Sequence, residues 1–106
     1  VFIPQFVRYT SSRFNGGFVI ANTTNTATTC NISYNSDTDA NETNVALAGN
    51  GVIIRYAPNV ANLNNGYNAS VTVTCGTPIF GMYNFSAAPG TGGLGDSDIT
   101  NNAINQ

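Results

Sequence analysis

Few side chains in this sequence could carry out acid–base or nucleophilic chemistry. The 106 residues include no His and only 3 basic residues, all of them Arg, and the acidic residues are Glu42 and four Asp. General acid–base catalysis needs paired titratable groups in a pocket, and nucleophilic catalysis needs an activated Ser or Cys beside a base. Neither arrangement can be assembled from these residues, so the sequence predicts that the chain is not an enzyme.

One acidic segment has the spacing of a metal site. Asp37, Asp39 and Asn41 alternate like the first ligands of a calcium-binding loop, in which oxygen atoms converge on one ion. The rest of that motif is missing, because no Gly follows at the turn position and Ala48 stands where a bidentate Glu is needed. The pattern favours a solvated loop, and we predict no metal ion and no cofactor.

The chain contains two cysteines, Cys30 and Cys75, with no His and no C-x-x-C spacing. Zinc and thioredoxin chemistry are thereby excluded, which leaves a structural disulfide or two buried thiols. Each Cys shares its strand phase with the apolar side chains of its predicted strand, residues 28–34 and 67–75. If these strands pair antiparallel, Cys30 lies beside Cys75. We therefore predict a disulfide and an extracellular or cell-surface location.

Five Asn-x-Ser/Thr sequences could accept N-linked glycans: Asn22, Asn31, Asn41, Asn68 and Asn84. Composition alone would produce roughly three such sequences, so their number is weak evidence. Their positions say more, because Asn31 and Asn68 lie on the outward phase of the two cysteine-containing strands and Asn41 lies in a polar loop. The alternative interpretation is that all five are ordinary surface asparagines.

The composition also limits the partners that this chain can bind. Charged residues make up 8% of the sequence and the net charge is −2, so there is no basic patch for nucleic acid or anionic lipid. No apolar run approaches the roughly 18 residues that span a bilayer. The chain begins at Val1 without a leader sequence, which we interpret as a secreted protein already processed. Because a neutral surface gives little repulsion, we expect self-association or a covering of sugar.

Short runs rich in Val, Ile, Thr, Tyr and Phe recur between clusters of Gly, Asn and Pro, which is the pattern of an all-β protein. About seven strands are predicted, and that number favours an antiparallel β-sandwich. Asn-Gly pairs at 15–16, 50–51 and 65–66 predict tight turns. Residues 57–65 are interpreted as a crossover between the two sheets, with room for a short helical turn. The predicted strands span residues 1–9, 17–22, 28–34, 45–48, 52–57, 67–75 and 79–85.

The two ends of the chain are candidates for contacts between subunits. Residues 1–86 are predicted to form the sandwich, and residues 87–106 an extended tail rich in Gly and Asn. Pro4 cannot donate to a sheet ladder, which predicts an edge, a bulge or a subunit junction for the first strand. A terminal strand can complete a neighbour's sheet. The residues predicted to make assembly contacts are Phe2, Ile3, Phe6 and Val7, and in the tail Leu94, Ile99 and Ile104.

Aromatic side chains offer a different function, because aromatic rings can stack on sugars. Most of them fall within predicted strand patterns and none is Trp, which favours packing in the core and between strands over carbohydrate binding. The residues concerned are Tyr9, Phe14, Tyr34, Tyr56, Tyr67 and Tyr83.

A series of short motifs runs through residues 1–86. They are Val1-Phe2-Ile3-Pro4, Phe14-Asn15-Gly16, Asn22-Thr23, Ile32-Ser33-Tyr34, Asn64-Asn65-Gly66-Tyr67, Ser70-Val71-Thr72-Val73-Thr74 and Pro78-Ile79. In type and order they resemble the Ig-like β-sandwich repeats found in tandem in large secreted surface proteins of filamentous bacteria. The resemblance implies an Ig-like fold and a structural or adhesive role at a surface. The chain departs from those repeats in its cysteine pair, its glycosylation sequences and its single module.

Taken together, these features predict a structural subunit of an extracellular glycosylated filament, fibril or surface layer. Copies of the chain would join head to tail through their terminal segments, and glycans would coat the outside. The competing expectation is a monomeric adhesin or carbohydrate-binding module. A decoration domain of a viral capsid or tail would use the same sandwich.

Overall fold

The computed structural model describes residues 1–9, 14–87 and 98–102. Within them, the regular elements are antiparallel strands and two short 3₁₀ turns at Thr38–Ala40 and Ala57–Asn59. The chain is all-β, as predicted. The strands are β1 (Phe2–Tyr9), β2 (Phe14–Asn22), β3 (Thr28–Tyr34), β4 (Glu42–Leu47), β5 (Val52–Tyr56), β6 (Tyr67–Cys75), β7 (Ile79–Ala87) and β8 (Asp98–Asn102).

Hydrogen bonds join these strands into one continuous path that folds over into a sandwich. The path runs β4-β3-β6-β1-β2-β7-β8, and β5 pairs with β2 beside the end of β1. We call β4, β3, β6 and most of β1 the first layer, and β5, β2, β7 and β8 the second layer. Their side chains meet in one core, in which the Phe6 ring lies 5.3 Å from that of Phe18 in the second layer and 5.9 Å from that of Tyr34 in the first.

Alternation of residue types explains why β3 and β6 form where they were predicted. In β3, Cys30, Ile32 and Tyr34 are buried, whereas Thr29 and Asn31 between them are exposed. Burial of a Val or Ile side chain stabilises a fold by about 1.5–3 kcal/mol. A slip of one residue in the pairing would expose the whole apolar set, so alternation fixes both the face and the register.

The β1 strand crosses from the first layer to the second. It pairs with β6 along most of its length and then with β2 at Arg8 and Tyr9. The register shifts between Ile3 and Phe6, so that Pro4 lies in a bulge, where its missing N–H interrupts no ladder hydrogen bond. A bulge was one of the three positions predicted for Pro4.

Two of the three Asn-Gly pairs form the predicted turns. At residues 65–66 the Tyr67 N–H donates to the Asn64 carbonyl and Gly66 has a φ of 91°. Asn50 has a φ of 56° and the Gly51 N–H donates to the Ala48 carbonyl, which confirms the predicted turn. The prediction of a turn at residues 15–16 is wrong, because both lie within β2. Gly16 lets β1 and β2 approach each other closely, since a Cβ atom on residue 16 would lie 3.1 Å from the Val7 nitrogen of the crossing β1 strand.

Other boundaries also differ from the prediction. The crossover at residues 57–65 is confirmed, because it joins β5 in the second layer to β6 in the first and includes a 3₁₀ turn. The β4 strand starts at Glu42, earlier than predicted, and part of the predicted tail forms an eighth strand, β8, against β7.

The predicted disulfide between Cys30 and Cys75 is present. The two residues lie directly opposite each other in the β3–β6 register, with Cα atoms 4.2 Å apart. The bridge closes a loop with a sequence separation of 45 residues. In the chain-entropy model such a loop stabilises the fold by about 4 kcal/mol, because it restricts the unfolded chain. The disulfide therefore ties the first layer together at one end.

Candidate functional site

One group of titratable side chains spans the two layers. The Arg55 guanidinium on β5 donates to both carboxylate oxygens of Glu42 on β4, with Nη2 2.8 Å from Oε1 and Nε 3.0 Å from Oε2. The Tyr34 hydroxyl on β3 donates to the same Oε2 at 2.9 Å. Because β4 and β5 belong to different layers, this bidentate pair joins the two layers.

The surroundings of these groups set their protonation. Burial raises the pKa of Glu42, but hydrogen bonds from Arg55 and Tyr34 and the charge of Arg55 outweigh it, so the net pKa is lowered. The hydrogen bond to Glu42 raises the pKa of Arg55. Burial and the neighbouring carboxylate raise the pKa of Tyr34 well above its usual range. At neutral pH the site is an ion pair with a protonated tyrosine, an arrangement that suits stabilisation.

A cleft of about 470 Å³ opens beside this ion pair, between the Thr38–Ala40 turn and the residues that follow β5. Glu42 and Arg55 line the cleft, together with Asn41 and Asn62. Since Glu42 and Arg55 are already paired with each other, the uncharged polar groups that the cleft offers a ligand include the side-chain amides of Asn41 and Asn62. The sequence did not predict this cleft. The cleft lies beside the Glu42–Arg55 pair, which forms only because two strands that are distant in the sequence pack together.

Two side chains of the segment that resembles a calcium loop accept hydrogen bonds from the backbone of the chain. Asp37 is buried and its Oδ2 accepts the Asn64 backbone N–H at 2.8 Å. Asn41 Oδ1 accepts the backbone N–H of Tyr34 at 2.7 Å. Across residues 1–9, 14–87 and 98–102, no group of three His, Cys, Asp or Glu side chains is arranged to hold a metal ion.

Among the predicted glycosylation sites, Asn22 does not fit a glycan. It is buried, and its Nδ2 donates to the carbonyls of Thr26 at 2.7 Å and Ala48 at 3.2 Å. Its Oδ1 accepts from the Thr24 backbone N–H and from the Thr77 hydroxyl. Since a sugar would replace one of the Nδ2 hydrogens, a glycan on Asn22 would break this network, and the expectation for Asn22 is corrected.

The other four predicted sites, Asn31, Asn41, Asn68 and Asn84, are exposed. Three of them use Oδ1 in a hydrogen bond: Asn31 accepts from the Asn44 backbone, Asn41 from Tyr34 and Asn68 from the Gln5 side chain. Because Oδ1 remains an acceptor after a sugar is attached to Nδ2, these bonds are compatible with a glycan. All four positions stay candidates.

The predicted assembly residues occupy two different environments. In β1, Ile3 and Phe6 are fully buried in the chain's own core, Val7 is buried outside the core cluster, and Phe2 is partly buried. In the tail, Ile99 belongs to β8, where its backbone lies opposite Phe85. Leu94 and Ile104 lie outside the described residues.

The outward surfaces of the two layers differ in chemistry. The outward positions of β3 and β6 in the first layer carry neutral polar side chains: Thr29, Asn31, Ser33, Asn68, Ser70, Thr72 and Thr74. The outward positions of β2, β5 and β7 carry exposed apolar side chains, which we call the apolar face: Val19, Val52, Ile54, Tyr56, Phe80 and Met82. Sequence reasoning noted Phe80 and Met82 on the phase of Asn84 but did not identify this face.

The aromatic residues considered for sugar binding are mostly in the interior. Tyr34 and Tyr67 are buried core residues, and Tyr9, Phe14 and Tyr83 are half-buried. Tyr56 is the member of this set with an exposed ring, at one corner of the apolar face. A continuous stacking platform is therefore not formed by this set.

The ion pair makes a prediction about acid stability. The pKa of Glu42 is lower in the folded chain than its ordinary value of 4.5, so the ionised carboxylate stabilises the fold above that pH. This stabilisation is lost as the pH falls through the lower folded-state pKa. Urea unfolding of Glu42→Gln should show a loss of about 1 kcal/mol at neutral pH that shrinks below the unfolded pKa. Asp39→Asn on the same cleft is the control, and a pH-independent loss in Glu42→Gln would contradict the assignment.

Comparisons with protein-family models, curated proteins and solved structures find no match to this chain. Within the part of the chain that the structure describes, no helix has the length and apolar character needed to cross a bilayer.

Proposed function

We propose that this chain is a structural module of an extracellular assembly, in which copies join head to tail through a terminal strand and glycans coat the exposed polar surface. The observation that carries the proposal is the position of β8. This strand lies at the edge of the second layer and pairs with β7 through only five residue pairs, from Ser86 opposite Asp98 to Met82 opposite Asn102.

The connection that precedes β8 supports exchange between copies. Residues 88–97, which join β7 to β8, include four Gly. An edge strand on a long Gly-rich connection can pair with its own β7 or with the β7 of a neighbour through the same hydrogen bonds. Repeated exchange in one direction is a heterologous contact and builds an open filament.

The first strand is a poorer candidate for exchange than β8. Ile3, Phe6 and Val7 are fully buried, and β1 pairs with strands of both layers. Withdrawing β1 would open the core of the donor, whereas withdrawing β8 would uncover one edge. The proposal therefore assigns the head-to-tail contact to the tail.

An extracellular location is supported by the disulfide, because such bonds persist in oxidising compartments. The exposed asparagines support the glycan part of the proposal, since attached sugar would keep a surface with few charges soluble. The neutral polar surface of the first layer is the side on which Asn31 and Asn68 project.

A monomeric adhesin or carbohydrate-binding module remains the second candidate. It is favoured by the exposed Tyr56 ring, which borders a depression of about 370 Å³ above Gly17. Few polar groups surround that depression, whereas sugar sites need several placed hydrogen-bonding groups. We therefore rank it below the structural role.

Deleting residues 88–106 tests the head-to-tail contact. Sedimentation velocity of the native chain should give a ladder of species that grows with concentration, and the deletion variant should lose that ladder. A synthetic peptide of residues 98–106 should shorten the native polymers, because it occupies the free β7 edge. A native chain that sediments as one species of 11.1 kDa at all concentrations would contradict the proposal and favour the monomeric adhesin. Unchanged polymerisation of the deletion variant would contradict the role of β8.

Glycan mapping tests the other part of the proposal. After expression in a secretory pathway that glycosylates Asn, peptide mass spectrometry should find sugar on Asn31 and Asn68 and none on Asn22, because the Asn22 amide is buried. Asn25 is the internal control, since no Ser or Thr stands two residues after it. An unmodified intact mass would remove the glycan part of the proposal, and sugar on Asn22 in a folded chain would contradict its buried network.

A further inference from the structure

We propose that a second copy of this chain covers the apolar face, so that two sandwiches pack with their second layers against each other. This contact is separate from the head-to-tail contact, because β8 is exchanged at an edge whereas the apolar face is the broad outer surface. It therefore goes beyond the function proposed above.

Strand register brings the apolar side chains together in rows. Val52 lies opposite Ala21, and Ala21 lies opposite Phe80; Ile54 lies opposite Val19, and Val19 lies opposite Met82. The exposed fraction is 62% for Ile54 and 55% for Val52, the two largest values in the set. Two complete rows across β5, β2 and β7 are thus apolar, and the patch is continuous.

The sequence of these strands also indicates that both of their faces are covered. A strand with one face in water alternates between apolar and polar residues, as β3 does. Val52, Ile53 and Ile54 in β5 are instead a continuous apolar run, and so are residues 18–21 in β2. Continuous runs are typical of strands that are buried on both faces. In β5 only Ile53 reaches the core, so its two neighbours need another cover.

The size of the face matches a concentration-dependent dimer. The six side chains expose on the order of 500 Å² of apolar surface, near the upper end of the largest patch found on a typical monomer. A standard interface buries about 800 Å² on each partner. The apolar face with its immediate rim approaches that area, which is the size that a contact between two copies needs.

The chemistry of the face selects a protein surface as the partner. Its six members carry no charge, and it includes Tyr, Phe and Met, which are enriched in the centres of protein interfaces. Phosphate or an anionic membrane surface would need free basic residues, and Arg55, which lines the depression beside the face, is already paired with Glu42. A sugar would need more exposed polar groups than this mostly apolar depression presents.

A second copy meets these requirements because it presents the same uncharged sheet. Antiparallel sheets pack face to face at about 10 Å, with their side chains interdigitating. The depression above Gly17 provides a recess for a projecting side chain of the partner. A two-fold arrangement uses the same surface on both copies and closes at two.

Met82 provides a direct readout, because it is the single Met of the chain and lies on the apolar face, 40% exposed. The test is the rate at which hydrogen peroxide converts Met82 to its sulfoxide, followed by intact mass at increasing chain concentration. Pairing predicts that oxidation slows as the chain concentration rises, in parallel with dimer formation in sedimentation equilibrium. A rate and a mass that do not depend on concentration would overturn the proposal.

Matched variants locate the contact. Ile54→Glu places a charge in the apolar face, and Thr29→Glu places the same charge on an exposed strand position of the first layer. We expect Ile54→Glu to weaken pairing by more than about tenfold and to restore fast oxidation of Met82, with Thr29→Glu like the native chain. Val52→Lys is a second variant, and thermal unfolding checks that each variant is folded. Equal pairing in Ile54→Glu and Thr29→Glu would overturn the assignment.

Loss of the face-to-face contact can be distinguished from loss of the head-to-tail contact. Loss of face-to-face pairing leaves the head-to-tail ladder in steps of one chain, whereas loss of the head-to-tail contact leaves a closed dimer. If the Ile54→Glu variant still forms the head-to-tail ladder and its Met82 is still oxidised slowly, the face-to-face contact alone is overturned.

Discussion

The structure depends on one strand, β1, that belongs to both layers. It enters beside β6, bulges at Pro4 and leaves beside β2, and its Phe6 ring contacts aromatic rings of both layers. Gly16 suits this crossing, because a Cβ atom at that position would lie 3.1 Å from the Val7 nitrogen of β1, closer than an ordinary van der Waals contact. The layers are thus joined by the β1 crossing and, between β4 and β5, by the Glu42–Arg55 pair.

The way in which the layers are joined determines which segments of the chain remain available for contacts with other molecules. The start of the chain is committed to the core, whereas β8 is held by one neighbour at an edge. The outer surfaces of the two layers also differ in chemistry. The first layer presents Ser, Thr and Asn on β3 and β6, and the second presents the apolar face on β2, β5 and β7. A module with this division suits an assembly in which one layer faces solvent and the other faces a neighbouring subunit.

Local patterns were enough to predict much of the fold. The bounds of β3 and β6 and the Cys30–Cys75 bridge follow from alternation, because that pattern fixes the inward face and hence the register. Features that depend on distant segments were missed. The Asn15-Gly16 pair has the composition of a turn, yet its conformation is set by the close approach of β1. The buried network of Asn22 likewise needs Ala48 and Thr77, which come from other parts of the chain.

We infer that the second layer is the assembling side and that the first layer faces solvent. Hydroxyl-radical footprinting of the native chain, dilute and concentrated, compares both layers in one measurement. The account predicts that protection on concentration is confined to β2, β5, β7 and β8, with the largest change at Ile54 and Met82 and no change at Thr29 or Thr74. Protection of the polar first layer, or no protection anywhere while the chain assembles, would contradict it.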